Sequence, residues 1–180
     1  MAGWGEADQT AHRPKDGAGQ DATGGGLALA ELERLTAAEL ERASLGRLRD
    51  PAVDEVRLPS RPESAGLARR LVLSVLQCWE LHQHLEVGEL LTGELVANAV
   101  RHAGGRTIGL KLCRRPGWLR VEVRDSSRAL PCLIVASEPC HETGHGLILV
   151  DVLSDRWGAD LLPRGKGVWF ELRVRERAGH

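Results

Sequence analysis

Glu94-Leu95-Val96-Ala97-Asn98-Ala99-Val100-Arg101-His102-Ala103 decides how the rest of the chain is read. The stretch predicts a helix, and Glu94, Asn98 and His102 recur in it at i, i+4 and i+8. At ~100° per residue these three fall within an arc of roughly 80°, with Arg101 just beside it. The rest of the wheel is almost wholly apolar: Leu90, Leu91, Leu95, Val96, Ala97, Ala99, Val100 and Ala103. A helix apolar nearly all round is buried. A carboxylate and an amide on a buried helix need partners, because leaving them unpaired costs a few kcal/mol. Two readings stay open at this point. Either the protein pairs them internally, or they line a wet cleft and meet a ligand.

Outward from this helix the chain divides into three. Residues 1–26 are rich in Gly, Ala, Asp and Gln, with almost no large apolar side chain except Trp4, a composition expected to be disordered. Residues 27–52 form a helical extension, with Leu32, Leu35, Leu40, Leu45 and Leu48 set among charges. Thr36-Ala37-Ala38-Glu39 in it has capping-box spacing. The extension is either a tail helix packed on the domain or an arm for a partner. Residues 53–176 are read as the compact domain. There, Val56 to Leu58 is an edge strand before Pro59. Ser60-Arg61-Pro62-Glu63 predicts a capped helix start, followed by the apolar face Ala65, Ala68, Leu71, Val72, Val75, Leu76 and Trp79.

After the central helix (about Val87 to Ala103, ended by Gly104-Gly105) come two alternating runs. They are Ile108, Leu110, Leu112 and Leu119, Val121, Val123, joined by the turn Arg115-Pro116-Gly117. Gly146 opens a short helix, Leu147 to Leu153. A last hairpin joins Trp157–Leu162 to Val168–Val174 across Pro163-Arg164-Gly165-Lys166-Gly167. Three main helices against an antiparallel or mixed sheet of four or five strands make an α+β two-layer sandwich.

Composition narrows the function. The chain has 180 residues, 42% hydrophobic and 27% charged, enough for one domain with a real core. A net charge of −1 provides no basic footprint for nucleic acid or an acidic membrane. No apolar run reaches the ~20 residues that span a bilayer. Met1 to Gly26 has no apolar core of a secretory signal. Four cysteines without a C-x-x-C pair read as reduced thiols, so a cytoplasmic protein is expected.

Three further features carry chemistry. Val121-Glu122-Val123-Arg124-Asp125 is a strand ending in an Asp. Gly144-His145-Gly146-Leu147 runs into a helix; glycines let backbone approach phosphate, and a helix N-terminus offers free N–H groups. Gly165-Lys166-Gly167-Val168-Trp169-Phe170 opens the last strand. Cys132, Cys140, His141 and His145 cluster between Asp125 and the short helix, but C-x7-C-H-x3-H matches no common zinc site. There is no Walker A motif, since Gly165-Lys166 is followed by Gly167.

Taken in order, these features resemble the GHKL ATPases, the superfamily of gyrase, histidine kinases and MutL. E-L-V-A-N-A-V-R-H-A looks like the N-box of the anti-sigma regulatory factor branch, small serine kinases that bind sigma factors. The resemblance covers roughly residues 55–175 and implies the Bergerat ATP-binding fold. It implies that Glu94 is the general base and that Asn98 ligates magnesium. It places nucleotide contacts on Asn98, His102, Asp125, Gly144, His145, Gly146, Leu147 and Gly167, with Asp125 accepting from the adenine amino group. ATP and Mg²⁺ follow as the cofactors. A sigma factor and a STAS-type antagonist phosphorylated on Ser or Thr follow as partners, with a homodimer common in the family and no direct nucleic-acid or membrane contact. A non-catalytic ATP- or partner-binding module of the same fold is the alternative.

The chain departs from the family pattern twice. The family often follows its Asp with a Gly-containing turn; here the run is Asp125-Ser126-Ser127-Arg128-Ala129-Leu130-Pro131. The family also usually has Gly-Lys-Thr or Gly-Thr at the last box, where the Thr helps hold the Asp, and this chain has Gly167.

Overall fold

The computed structural model describes residues 34–48, 55–102, 107–131 and 145–175. Among the described residues are four α-helices, α1 (Ala37–Leu48), α2 (Glu63–Cys78), α3 (Leu85–His102) and α4 (His145–Leu153), and a 3-10 turn, His82–His84, before α3. Five strands form one antiparallel sheet: β1 (Val56–Pro59), β2 (Thr107–Arg115), β3 (Trp118–Asp125), β4 (Arg156–Leu161) and β5 (Lys166–Arg173), in the order β1-β2-β3-β5-β4. This is the α+β two-layer sandwich expected. The expected disorder of residues 1–26 lies outside the described residues.

Alternation along the strands makes the two layers. Ile108 and Leu110 on β2, Leu119, Val121 and Val123 on β3, and Val168, Phe170 and Leu172 on β5 are all buried. They point to the helices, where Leu71, Val72, Val75 and Leu76 of α2 meet Leu91, Leu95, Val96 and Ala99 of α3. Gly88 permits the closest approach, since a Cβ there would lie 2.8 Å from Leu76 Cδ1. The wheel of α3 is less uniformly buried than its sequence suggests, with Leu90 39% exposed.

The opposite sheet face is polar. Arg120 lies 3.9 Å from the Trp169 ring centroid, in cation–π range, and pairs with Asp160 at 3.1 Å, Glu122 at 3.5 Å and Glu171 at 3.6 Å. Arg124 bridges Glu122 at 2.7 Å and Glu55 at 3.1 Å. Glu122, buried at 6% exposure, is thus held between the two arginines. These pairs account for a sheet with helices on one side only.

The ends of the elements follow local chemistry. The Thr36–Glu39 capping box forms, with Thr36 N donating to Glu39 Oε2 at 2.9 Å and Glu39 N to Thr36 Oγ1 at 3.3 Å. Hydrogen bonds from Thr36 hold the Glu39 carboxyl below its ordinary value. α1 packs on α2 and β1 through buried Leu40, Ser44 and Leu48, and Arg70 ties it down through Glu41 at 2.8 Å. In the described part of the extension, then, the tail helix is packed on the domain.

The expected cap at Ser60 does not form. α2 starts after Pro62 with no side-chain cap, and Ser64 Oγ donates instead to Pro59 O at 2.6 Å. At its other end Glu80 adopts φ 58°, with Glu80 N bonded to Gln77 O and Leu81 N to Leu76 O, the Schellman arrangement.

Candidate functional site

α3 brings the central polar residues to one side of the helical layer. It packs on α2 and α4 and lies over β3. Glu94 and Asn98 are half-buried, and His102, near the end of the helix, is exposed. Among the described residues neither the Glu94 carboxylate nor the Asn98 amide has a hydrogen-bond or ion-pair partner. Two oxygen-bearing groups one turn apart, both without a partner among the described residues, are of the ligand type that hard divalent cations such as Mg²⁺ take.

α4 closes on the same side. It begins one residue earlier than expected, at His145, and only its backbone is described there. Gly144 lies outside the described residues, as do Cys132, Cys140 and His141. Gly146 sits directly against α3, where a Cβ would meet Glu94 Oε2 at 2.5 Å and Glu94 Cβ at 3.4 Å. Leu147 is half-buried beside it. The glycine is thus needed for contact with the carboxylate, a reason that is visible only in three dimensions.

Asp125 ends β3 and is 6% exposed. Its Oδ1 accepts two hydrogen bonds, from Ser127 N at 2.8 Å and from Lys166 Nζ at 3.0 Å. The first is an Asx turn, suited to the Ser126-Ser127 sequence. Oδ2 has no donor among the described residues. The ion pair with Lys166 is deeply placed, with side-chain exposures of 4% for Lys166 and 2% for Asp125.

This pairing was not legible in the sequence, because the last hairpin differs from its reading. The turn was expected to run through Gly167. Instead β5 begins at Lys166, and the register pairs Asp125 with Lys166 and Arg124 with Gly167. Directly opposed residues of antiparallel strands share a face. Lys166 therefore points where Asp125 points. Gly167 belongs to the other face, where a Cβ would meet Glu122 Oε1 at 2.6 Å. A threonine at position 167 would face away from Asp125. The signal available in sequence was the lysine itself, since a lysine at the start of a buried strand needs an acid partner.

Gly165 makes the meeting possible. Its φ is +93°, and a Cβ would lie 1.8 Å from the Asp125 carbonyl oxygen. Only glycine lets the β4–β5 turn lie on the end of β3 in this way.

Fold and site define a class: an α+β two-layer domain whose polar helix residue Glu94 meets Gly146 in the first turn of α4. The family described as histidine kinase-like ATPase domain matches residues 58–172, well over half of the chain. The chain belongs to that family. No curated protein matches it. Among the described residues no helix is long and apolar enough to cross a membrane.

Proposed function

We propose that the protein binds Mg-ATP and transfers its γ-phosphate to a Ser or Thr hydroxyl of an antagonist protein, controlling a sigma factor by partner switching. The observation that carries this reading is the pair Glu94 and Asn98, set one turn apart on α3 beside Gly146 and without partners among the described residues. A structural acceptor would be expected to have donors from the protein. A general base and a metal ligand each need an oxygen open to the substrate or the ion.

In this reading Asn98 holds the magnesium ion with its amide oxygen, and the ion, when bound, neutralises charge on the phosphates. Glu94 accepts the proton of the attacking hydroxyl as the new O–P bond forms and the bond to the ADP oxygen breaks. The backbone N–H groups at the start of α4 face the phosphates. Asp125 accepts from the adenine amino group. His102, exposed at the end of α3, is near enough in the chain to contact the nucleotide rim.

A second reading, regulation without phosphotransfer, has one observation in its favour. The turn after Asp125 lacks the family's glycine, and Asp125 is already paired with Lys166. Incubation with γ-labelled ATP and candidate antagonist proteins separates the two. Label on a Ser or Thr of the antagonist supports the kinase. Nucleotide binding without any transfer supports the module.

A further inference from the structure

Resting on that nucleotide reading, we infer that Lys166 is a positioning residue that sets base specificity by deciding which oxygen of Asp125 is shown to the bound base. Two donors of different origin converge on one oxygen: Lys166 Nζ at 3.0 Å and Ser127 N at 2.8 Å, both to Oδ1. Among the described residues no donor reaches Oδ2, which is left as the acceptor. The lysine is buried, 3% exposed, so its ammonium is held in place rather than sampling solvent. A charge buried this deeply is retained only with its partner.

An ionised carboxylate can only accept hydrogen bonds. Held by Oδ1, it offers a single acceptor at a fixed position, which suits the exocyclic amino group of adenine. Guanine presents a carbonyl oxygen at that position and leaves two acceptors facing each other. A carboxylate free to turn would discriminate less sharply, because its geometry would not be prearranged. Lys166 thus supplies from position 166 the support that a threonine at 167 could not, since residue 167 lies on the other face of β5.

The arrangement makes an unusual demand on Asp125→Asn. An asparagine amide has one acceptor and one donor end. The convergent donors Lys166 Nζ and Ser127 N select the oxygen for the Oδ1 place, which puts the NH2 where Oδ2 was. That donor suits the guanine oxygen and opposes the adenine amino group.

The test measures dissociation constants for Mg-ATP and Mg-GTP by calorimetry on the full chain, with melting curves in parallel. The proteins are wild type, Lys166→Met, Asp125→Asn and the double variant. Wild type is expected to prefer ATP. Lys166→Met should lose about 10–100-fold of that preference, the value of one hydrogen bond to a charged group. Asp125→Asn should shift the ratio toward GTP by a similar factor, and the double variant should keep only part of that shift because Ser127 N alone then orients the amide. A Lys166→Met protein with the wild-type ratio overturns the inference, as does one that binds ATP more tightly, which would make Lys166 an obstruction. If Lys166→Met does not fold, Asp125→Asn decides alone, and an undiminished ATP preference there overturns the inference. A wild type that binds ATP and GTP equally removes the inference but keeps the nucleotide site. A wild type that binds neither removes the site and the inference together.

Discussion

The Cα of Gly146 lies against the carboxylate of Glu94, so that a Cβ on residue 146 would fall 2.5 Å from Glu94 Oε2. The obstructed atom is the end of a flexible side chain, not backbone. Gly146→Ala should therefore fold, with the carboxylate swung aside. Alanine also has the higher helix propensity, by about 1 kcal/mol in a helix interior and less in the first turn, where residue 146 lies. The melting temperature should stay level or rise while phosphotransfer falls. Thermal melts and a phosphotransfer assay on this one variant check it; a stable variant with full activity would remove Glu94 from the chemistry.

Glu94→Ala tests the base directly. A general base acts in the transition state, so turnover should drop by roughly 10²–10⁴. ATP affinity should hold or rise slightly, since a negative charge near phosphate is gone. Because the carboxylate has no protein donors among the described residues, little stability should be lost. Loss of folding and nucleotide together would instead mark Glu94 as a structural acceptor.

Asn98 should separate binding from folding. Ligand at ~100 times its dissociation constant adds about 2.7 kcal/mol to stability. Wild type should show such a gain with ATP only when magnesium is present. Asn98→Ala should melt close to wild type without ligand, its amide having no partner to lose among the described residues, and should gain much less from Mg-ATP. A melting curve of wild type unmoved by millimolar Mg-ATP would sink the proposed function.

Gly165→Ala should be severe. The added Cβ meets the Asp125 carbonyl oxygen at 1.8 Å, and the residue sits at φ +93°. Left-handed strain alone costs about 1–3 kcal/mol, and the overlap with backbone adds to it. Denaturant midpoints should fall accordingly, and any folded fraction should bind ATP poorly because Asp125 is displaced. Unchanged stability would mean that the turn does not rest on β3.

Two titrations should weaken the fold in acid, in separate windows. Burial lowers the His84 pKa from 6.5, against opposing effects of Asp155 and a hydrogen bond to the Arg173 main chain. Its Nε2 is buried without a partner, so a proton there has nothing to bond. The unfolded chain binds that proton more readily, so stability falls as pH drops below about 6.5. Glu39 is depressed below 4.5 by Thr36, so its contribution is present above 4.5 and is lost as pH falls further. His84→Leu should flatten the first step and Thr36→Ala the second in denaturant midpoints measured from pH 8 to pH 3.

Much of the fold was legible because it rests on short-range periodicity. The alternation of Leu119, Val121 and Val123 gave β3, and the apolar face of Leu71, Val72, Val75 and Leu76 gave α2. Glu94 and Asn98 were legible for the same reason, since i and i+4 on a helix share a face whatever surrounds it. The Thr36–Glu39 box also formed as spaced, because both of its hydrogen bonds are local. The cap at Ser60 failed because first-turn N–H groups bond main-chain carbonyls instead, Ser64 N to Arg61 O and Ala65 N to Pro62 O.

The sequence by itself determined which residues share a helix face or a strand face, and so the α+β class and the Glu94–Asn98 pair. Only the tertiary structure decided what meets Asp125. Its partner Lys166 is 41 residues away along the chain, and the choice between positions 166 and 167 depends on the register of β5 against β3. Side chains alternate with a period of two, so one residue of register exchanges a buried ammonium for an outward-facing glycine. That register is set by long-range packing of the whole sheet and by the close approach of Gly165 to the end of β3, neither of which has a local signature.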